Sequence, residues 1–181
     1  MNLDEIKLNR KDIFKGRIID VHLDEVMLPN GKKSEREVVD HPGGVCIAAL
    51  TKDYELLFVR QYRYPYSEQL LELPAGKLEK GSTPLENGKR ELKEETGAEG
   101  KDYISLGKVY PSPGYVSEVI YLYLCKVGEV GRQKLDEDEF LNVEKIKIDD
   151  AFKMVMNGEI KDAKTQIAIL KIKNLITYGV I

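Results

Sequence analysis

Tryptophan is absent from this chain of 181 residues, and only two cysteines and two histidines occur. Cys46 and Cys125 lie in apolar runs without a CxxC partner, so they predict small buried thiols in a reducing compartment. Neither His22 nor His41 has a neighbouring histidine, cysteine or serine in a triad-like setting, which favours structural roles for both. A domain of this length buries enough surface to form a core without disulfides or structural zinc.

Long hydrophobic runs and an excess of positive charge are lacking as well. No stretch approaches the length of apolar sequence that spans a bilayer, and the opening MNLDEIKLNRKD has no apolar core of the kind that signal peptides carry. The chain has 31 acidic and 28 basic residues, a formal charge of −3, which argues against a protein built around nucleic-acid phosphates. We therefore expect a cytoplasmic protein that binds neither membranes nor nucleic acid.

The order of apolar segments and turn residues predicts a mixed α/β fold. Residues 14–28 and the run SEREVV flank Pro29-Asn30-Gly31 and predict a hairpin. Further strands are predicted at 45–51, 56–62, 70–73, 103–109, 117–127 and 140–148, and helices at 84–96, 149–158 and 162–178. This order favours an α/β (α+β) domain at 42–181, in which helices flank a mixed central sheet. Residues 1–41 would form a separate region of antiparallel strands, which is marginal alone and must pack on the main body or on a second subunit.

The helix predicted at 84–96 has strong signals at both ends. Thr83 fits the N-cap and Pro84 the first helical position. Glu86 completes a capping box with Thr83, and Gly97 stands where a left-handed residue ends a helix. The sequence therefore predicts a helix that forms in this register and stops at Gly97.

Three glutamates of this helix, Glu91, Glu94 and Glu95, fall within five residues. Glu91 and Glu95 project from one face about one turn apart, and Glu94 lies beside them, so one hard cation could contact all three carboxylates. Carboxylate oxygens without an adjacent histidine or cysteine favour Mg²⁺ or Mn²⁺ over zinc. The alternative is a solvated helix face, which is the commoner explanation of a glutamate-rich run taken alone.

The residues before the helix favour the metal site over the solvated face. The predicted strand LLEL leads into Pro74-Ala75-Gly76, and a loop then reaches the helix start. Such a strand-loop-helix unit can bring backbone carbonyls of the loop alongside carboxylates of the helix. In outline, this is a site for a cation and a pyrophosphate.

Residues 76–98 closely resemble the Nudix box, Gly-x5-Glu-x7-Arg-Glu-U-x-Glu-Glu-x-Gly-U, in which U is aliphatic. The matches are Gly76 and, from the run Arg90-Glu91-Leu92-Lys93-Glu94-Glu95-Thr96-Gly97-Ala98, every defined position. The resemblance implies a Nudix α/β/α sandwich and metal ligands at Glu91, Glu95 and the Ala75 carbonyl, with Glu94 as an additional catalytic or ligating carboxylate. Ser82 stands where the family has Glu, so we expect function to survive with weaker metal affinity.

Nearly the whole chain resembles one branch of this family, the ADP-ribose pyrophosphatases. The matching segments are 28–45, 59–65, 71–81, 110–115, 135–140 and 162–165. Pro113 occupies the place beyond the box where that branch has its marker proline. The resemblance implies hydrolysis of ADP-ribose to AMP and ribose 5-phosphate, with Mg²⁺ or Mn²⁺ as the cofactor.

Two arginines at the end of a predicted strand are candidates for binding phosphate. Arg60 and Arg63 carry planar guanidinium groups that suit phosphate oxygens, and an aromatic residue between them, Tyr62, could stack on a base or ribose. A pair of exposed arginines on an edge strand is the alternative.

The remaining substrate contacts are implied by the resemblance alone. Arg36 would reach a substrate phosphate or ribose, in its own or the neighbouring subunit, and Glu72 would contact substrate or metal-bound water. Pro113 and Gly114 would shape the ribose end of the pocket. Because tryptophan is absent, a tyrosine or an aliphatic residue must take the place that tryptophan has against adenine in some relatives.

The acidic loop at 136–139 precedes a predicted strand and would ordinarily be a solvated segment. By resemblance, this loop carries the general base or a carboxylate that orients water. Glu139, immediately before Phe140, aligns best with that role, and Glu137 is the alternative.

The same resemblance implies a homodimer that forms through the N-terminal strands. Two other functions stay open. A broader nucleoside diphosphate sugar hydrolase, acting on GDP-mannose for example, would use the same box with a different base pocket. A catalytically weak nucleotide-sugar-binding protein would keep the arginines, and Ser82 is the feature in its favour.

Overall fold

The computed structural model describes residues 2–137 and 139–181. Its contacts divide the chain into two compact units. The first contains the residues up to Gly43 together with Tyr110–Val119, and the second contains Gly44–Val109 and Ile120–Ile181. The predicted domains, 1–41 and 42–181, stay a prediction.

The first unit holds a three-stranded antiparallel sheet in the order β1 (Ile6–Lys15), β2 (Asp20–Met27) and β3 (Lys33–Asp40). Strands β2 and β3 form the predicted hairpin around Pro29-Asn30-Gly31, and Gly31 takes the positive φ of 79° that its turn requires. The hairpin begins at Asp20 rather than at residue 14, because the chain turns at residues 16–19, where the Gly16 amide donates to the Ile19 carbonyl at 2.9 Å.

Strand β1 lies in the N-terminal region for which antiparallel strands are predicted, but the sequence does not predict it as a separate strand. All ten of its residues are exposed, and several are charged, so no alternation of buried and exposed positions marks it as a strand. Its backbone is ordered by pairing with β2 and not by burial of one face. Strand β1 therefore leaves apolar side chains, including those of Ile6, Leu8 and Phe14, open to solvent.

A mixed sheet forms the centre of the second unit, as predicted. Its strands run in the order β10-β5-β4-β9-β8, with β6 paired to β5 and β7 paired to β4. Strands β4 and β9 are parallel, and the other described pairs are antiparallel. The bounds are β4 Gly44–Thr51, β5 Glu55–Arg63, β6 Glu68–Glu72, β7 Ala75–Lys77, β8 Ala98–Val109, β9 Ile120–Val130 and β10 Leu141–Lys147.

Helices cover both faces of this sheet. The described helices are α1 (Pro84–Thr96), α2 (Ile148–Met156), α3 (Ala163–Thr177) and a 3-10 helix at Tyr64–Tyr66. Cys46, Ala48 and Leu50 of β4 pack in one core with residues of α2 and α3, while Val45, Ile47 and Ala49 pack in the other with Leu92 of α1. The apolar run of β4 is continuous because both of its faces are buried. Over the described residues, no helix combines the length and apolar character that crossing a bilayer requires.

Candidate active site

Helix α1 begins and ends where the sequence predicts. The Thr83 hydroxyl accepts a hydrogen bond from the Glu86 amide at 3.3 Å, and the Glu86 carboxylate accepts one from the Thr83 amide at 2.7 Å, so the capping box is complete. Gly97 ends the helix in the left-handed conformation, at a φ of 70°. These two ends fix which glutamates face the sheet.

Glu91 lies against the backbone of β7, the short strand that precedes the loop to the helix. A Cβ atom at Gly76 would sit 2.0 Å from the Glu91 carboxyl carbon, so only glycine leaves room for this carboxylate. Burial raises the pKa of Glu91; the guanidinium of Arg90 opposes that rise, and the charges of Glu94 and Glu139 add to it.

Glu95, one turn further along, is 3% exposed. Its carboxylate accepts a hydrogen bond from the Ala75 amide at 3.0 Å. Burial, and then the negative charge of Glu91, raise the pKa of Glu95 to about 8. Two carboxylates one turn apart therefore meet the Ala75-Gly76 backbone in a setting that disfavours their negative charge.

Arg90 is the centre of a group of ion pairs that includes Glu91 and two more exposed carboxylates. Its guanidinium contacts Glu91 at 2.8 Å and also pairs with Glu94. A third carboxylate, that of Glu79, lies 3.0 Å from the Arg90 guanidinium. Glu79 thus gives Arg90 a carboxylate partner in a loop where Ser82 replaces the glutamate of the box.

The loop after β9 is attached to the C-terminal end of α1. The Gln133 side chain donates to the Glu95 carbonyl at 2.7 Å, and the Lys134 amide donates to the Glu94 carbonyl at 2.8 Å. Gly131 approaches so closely that a Cβ atom on Gly97 would lie 2.5 Å from its carbonyl carbon. Gly97 therefore serves both the helix end and this close approach.

The same loop carries the two candidates for the general base. The charge of Glu139 contributes to the raised pKa of both Glu91 and Glu95, which puts Glu139 within electrostatic reach of both. Glu137 and Glu139 are both exposed, but no comparable influence of Glu137 on the helix carboxylates is found among the described residues. Asp138, the remaining acid between them, lies outside the described residues.

Arg63 of β5 and Glu72 of β6 form an ion pair, although they are not opposite each other in the strand register, which pairs Arg63 with Glu68. The Arg63 Nε and Nη2 atoms donate to the two Glu72 oxygens at 2.6 and 2.7 Å. Burial alone would raise the pKa of Glu72, but the Arg63 hydrogen bond and the charge of Lys164 outweigh burial and lower this pKa to about 2. Arg60 pairs instead with Glu144 of β10.

The other predicted substrate-binding residues belong to the first unit. The Arg36 guanidinium holds both carboxylate oxygens of Glu5, with Nε 3.0 Å from Oε2, and its Nη1 donates to the Ser34 hydroxyl at 3.1 Å. Pro113 and Gly114 are exposed and lie in a turn. The segment that contains them is held to β3, where the Val39 amide donates to the Tyr115 carbonyl at 2.8 Å.

The donor set around Glu91 and Glu95 fits a hard divalent cation. Both carboxylates are largely withdrawn from water and repel each other, and a cation would remove that repulsion. Within 2–137 and 139–181, no three acidic, histidine or cysteine side chains already stand as a preformed metal cluster. Arg90 is one reason, because its guanidinium occupies oxygens of both Glu91 and Glu94.

Sequence reasoning missed three side chains that organise this site. Glu79 and Lys164 lie in segments noted for their resemblance to relatives, but Glu79 occupies no defined position of the box, and the partner of Lys164, Glu72, is distant in sequence. Gln133 lies in a charged loop with no periodicity to signal a contact with α1. Only the segments, and not the individual contacts, could have been found.

Comparison with known proteins agrees with this geometry. The pattern of the NUDIX domain matches residues 40–166, and that of the nucleoside diphosphate sugar hydrolase N-terminal domain matches residues 5–39. A solved structure of an ADP compounds hydrolase has a TM-score of 0.85, covers all of both chains at 21% identity, and therefore shares the fold.

Curated relatives are similar over most of their length. An ADP-ribose pyrophosphatase of Bacillus subtilis is 42% identical over 93% of this chain and 92% of its own. A methanol dehydrogenase activator of Bacillus methanolicus is 40% identical over 92% and 91%. A GDP-mannose pyrophosphatase of Escherichia coli is 32% identical over 74% of each chain. The box helix, the matched domain and these relatives together show that the chain belongs to the Nudix family.

Proposed function

We propose that this protein hydrolyses ADP-ribose to AMP and ribose 5-phosphate. The observation that carries the reaction type is the burial of Glu91 and Glu95 against the Ala75-Gly76 backbone. The substrate is supported by the similarity to an ADP-ribose pyrophosphatase, which extends over 93% of the chain, whereas the similarity to a GDP-mannose pyrophosphatase extends over 74%.

In this proposal, Glu91, Glu95 and the Ala75 carbonyl hold Mg²⁺ or Mn²⁺, with Glu94 as an additional carboxylate. When bound, the cation supplies charge neutralisation for the diphosphate and lowers the pKa of a coordinated water. Glu94 has to exchange its contact with Arg90 to take part, while Glu95 is already oriented by the Ala75 amide.

Glu139 is the proposed general base. It accepts the proton of the attacking water, whose oxygen displaces the bridging oxygen at one phosphorus. Its electrostatic influence on both Glu91 and Glu95 supports Glu139 over Glu137. The loop that carries Glu139 is hydrogen-bonded to α1 through Gln133 and Lys134. These contacts hold the loop next to the helix that carries the metal-binding carboxylates.

Substrate charge is bound by arginines. Arg63 keeps its Nε and Nη2 hydrogen bonds to Glu72, and the exposed part of its guanidinium is available to bind a phosphate. Arg60 and Arg36 also serve the substrate in this proposal, so Glu144 and Glu5 must release them when it binds. Pro113 and Gly114 shape the ribose end.

The proposal includes a homodimer built from the N-terminal strands. Exposed apolar side chains on a fully exposed edge strand support this assembly, since such an edge is a template for pairing with another chain. A cytoplasmic location is proposed with it, and the two buried free thiols, Cys46 and Cys125, suit a reducing compartment. Light scattering of the purified chain measures the oligomeric state directly.

The test of the proposed function is AMP release from ADP-ribose, ADP-glucose and NADH, with GMP release from GDP-mannose, in Mg²⁺ or Mn²⁺. We expect the highest kcat/KM with ADP-ribose. A preference for GDP-mannose would favour the broader nucleotide-sugar hydrolase, and tight binding without turnover of any of these compounds would favour the binding protein.

A further inference from the structure

Four charged side chains, of which those of Lys164 and Glu72 are buried, connect the start of α3 to β5: Asp162, Lys164, Glu72 and Arg63. Lys164 contacts the Glu72 carboxylate and lies 2.9 Å from Asp162. The Lys164 side chain is 10% exposed and that of Glu72 is 1% exposed. A lysine and a glutamate this deeply buried need each other, because an unpaired charge in such a place is strongly unfavourable.

Backbone contacts determine where Lys164 stands. Asp162 caps α3 by accepting a hydrogen bond from the Thr165 amide at 3.0 Å. The Thr165 hydroxyl in turn accepts one from the Leu73 amide at 2.9 Å, which fastens the start of α3 to the residue after β6. Lys164, between these two, is therefore directed at Glu72 by the cap and the Thr165 contact, together with its own contact to Asp162.

Glu72 then determines how Arg63 is presented. One Glu72 oxygen accepts from Arg63 Nε, and the other is shared between Arg63 Nη2 and Lys164 Nζ. This leaves Arg63 Nη1 without a hydrogen-bond partner among the described residues, on a side chain that is 39% exposed. The torsion angle that rotates a glutamate carboxylate has no sharp energetic preference. The contact of Lys164 with the shared oxygen therefore restricts the range of orientations that the Glu72 carboxylate can take.

We infer that Lys164 is a positioning residue for substrate binding, which holds Glu72 in the orientation that presents the free edge of Arg63 to a phosphate of the substrate. Lys164 does not touch the substrate in this arrangement. The inference rests on the proposed function only for the identity of that substrate.

A purely structural role makes a different prediction. If Lys164 only neutralises a buried carboxylate, replacing it lowers the stability of the fold and leaves the KM of the remaining folded enzyme unchanged. If it positions Arg63, KM for ADP-ribose rises while kcat changes much less, because the lost interaction is with the bound diphosphate in both the ground and transition states.

The kinetic experiment compares Lys164→Met with Lys161→Met, whose exposed amine pairs with Glu68 close by. For Lys164→Met we expect KM to rise about tenfold or more, as for loss of a hydrogen bond between charged groups, with kcat within about threefold of wild type.

In a Glu72→Gln background, Lys164→Met has little further effect on KM, since the residue through which Lys164 acts is already changed. Lys161→Met leaves KM unchanged. An unchanged KM in folded Lys164→Met overturns the inference, and Lys164→Gln replaces that variant if it does not fold.

A second measurement does not depend on turnover. The NMR signal of the Arg63 Nε–H proton can be assigned by its disappearance in Arg63→Lys. In the wild-type protein and in Lys161→Met, we expect a separate signal that is protected from exchange with water. In Lys164→Met, this protection should be lost. A signal that persists unchanged in Lys164→Met overturns the positioning role. If the wild-type protein fails to hydrolyse ADP-ribose, the proposed function falls, and this resonance still decides the inference.

Discussion

The carboxylate of Glu91 occupies the space that a side chain at Gly76 would need. An added Cβ would lie 2.0 Å from both the carboxyl carbon and one carboxyl oxygen of Glu91. Gly76 has no positive φ, so the requirement for glycine comes from this contact and not from its backbone conformation. The first and the central parts of the box are therefore linked by steric fit.

Gly76→Ala is expected to displace Glu91 and lower kcat for ADP-ribose by about 100-fold, because catalytic groups moved by about 1 Å lose activity on that scale. Gly128→Ala is the matched control, since a Cβ at that glycine would contact nothing within 4 Å. Steady-state kinetics on both variants decide the matter. Full activity in Gly76→Ala would show that the carboxylate does not need its present position.

Glu79 is expected to support Arg90 in place of the glutamate that Ser82 replaces. Glu79→Gln should raise the Mg²⁺ concentration for half-maximal activity by up to about fivefold, a modest change because the pair is exposed. Adding Ser82→Glu should reverse that rise by returning a carboxylate to this loop. Magnesium titrations of activity measure both effects.

Glu99→Gln removes a surface carboxylate of β8 that pairs with Lys93 of α1, and it provides the control for this titration. An equal rise in the control variant, or no reversal by Ser82→Glu, would mean that Glu79 has no specific part in supporting the box.

The raised pKa of Glu95 predicts how stability depends on pH without metal. The unperturbed value is 4.5 and the folded value about 8, so between these limits the folded protein retains a proton that the unfolded chain releases. The free energy of unfolding should therefore fall as pH rises through this window. Added Mg²⁺ should stabilise the protein more at pH 8.5 than at pH 6.5, since it binds the ionised carboxylate.

Thermal unfolding with EDTA or with Mg²⁺ tests this dependence, with Glu95→Gln as the reference for other titrating groups. The fall with pH should be smaller in that variant. Glu72 does not contribute to the change in stability over this pH range. Its pKa in the folded protein is about 2, so the stability that it provides is lost only in strong acid. Identical pH profiles for the two proteins would contradict the proposed ionisation of Glu95.

Glu139 and Glu137 can be separated by a pair of identical substitutions in one loop. Glu139→Gln should lower kcat by about 100-fold or more, as loss of a general base does. Glu137→Gln should retain activity within about threefold of wild type, because Glu137 has no comparable electrostatic influence on Glu91 and Glu95. The reverse result would assign the base to Glu137.

Much of the site could be predicted from sequence because it is local. The capping box, the helix end at Gly97 and the common face of Glu91 and Glu95 depend on neighbours within a few residues of α1. The strands of the mixed sheet other than β7 are also predicted, most clearly β4, which is a continuous apolar run buried on both faces.

The features that sequence could not give depend on distant partners or on weak patterns. Strand β1 is exposed along its whole length and carries no periodic signal, so the sequence predicts a region of strands there but not this strand or its bounds. Lys164 meets Glu72 across 92 positions, and Gln133 meets Glu95 across 38. Such contacts follow from the packing of α3 and of the loop after β9, which no local propensity encodes.

The central claim is that Glu95 holds a divalent cation at the diphosphate. The most direct measurement is the rate of AMP release from ADP-ribose by Glu95→Gln at saturating Mg²⁺, beside Glu99→Gln as an exposed control. We predict a loss of at least about 100-fold, or ~2.7 kcal/mol in the barrier, in Glu95→Gln alone. A loss below about tenfold, under ~1.4 kcal/mol, would contradict a ligand role for this carboxylate.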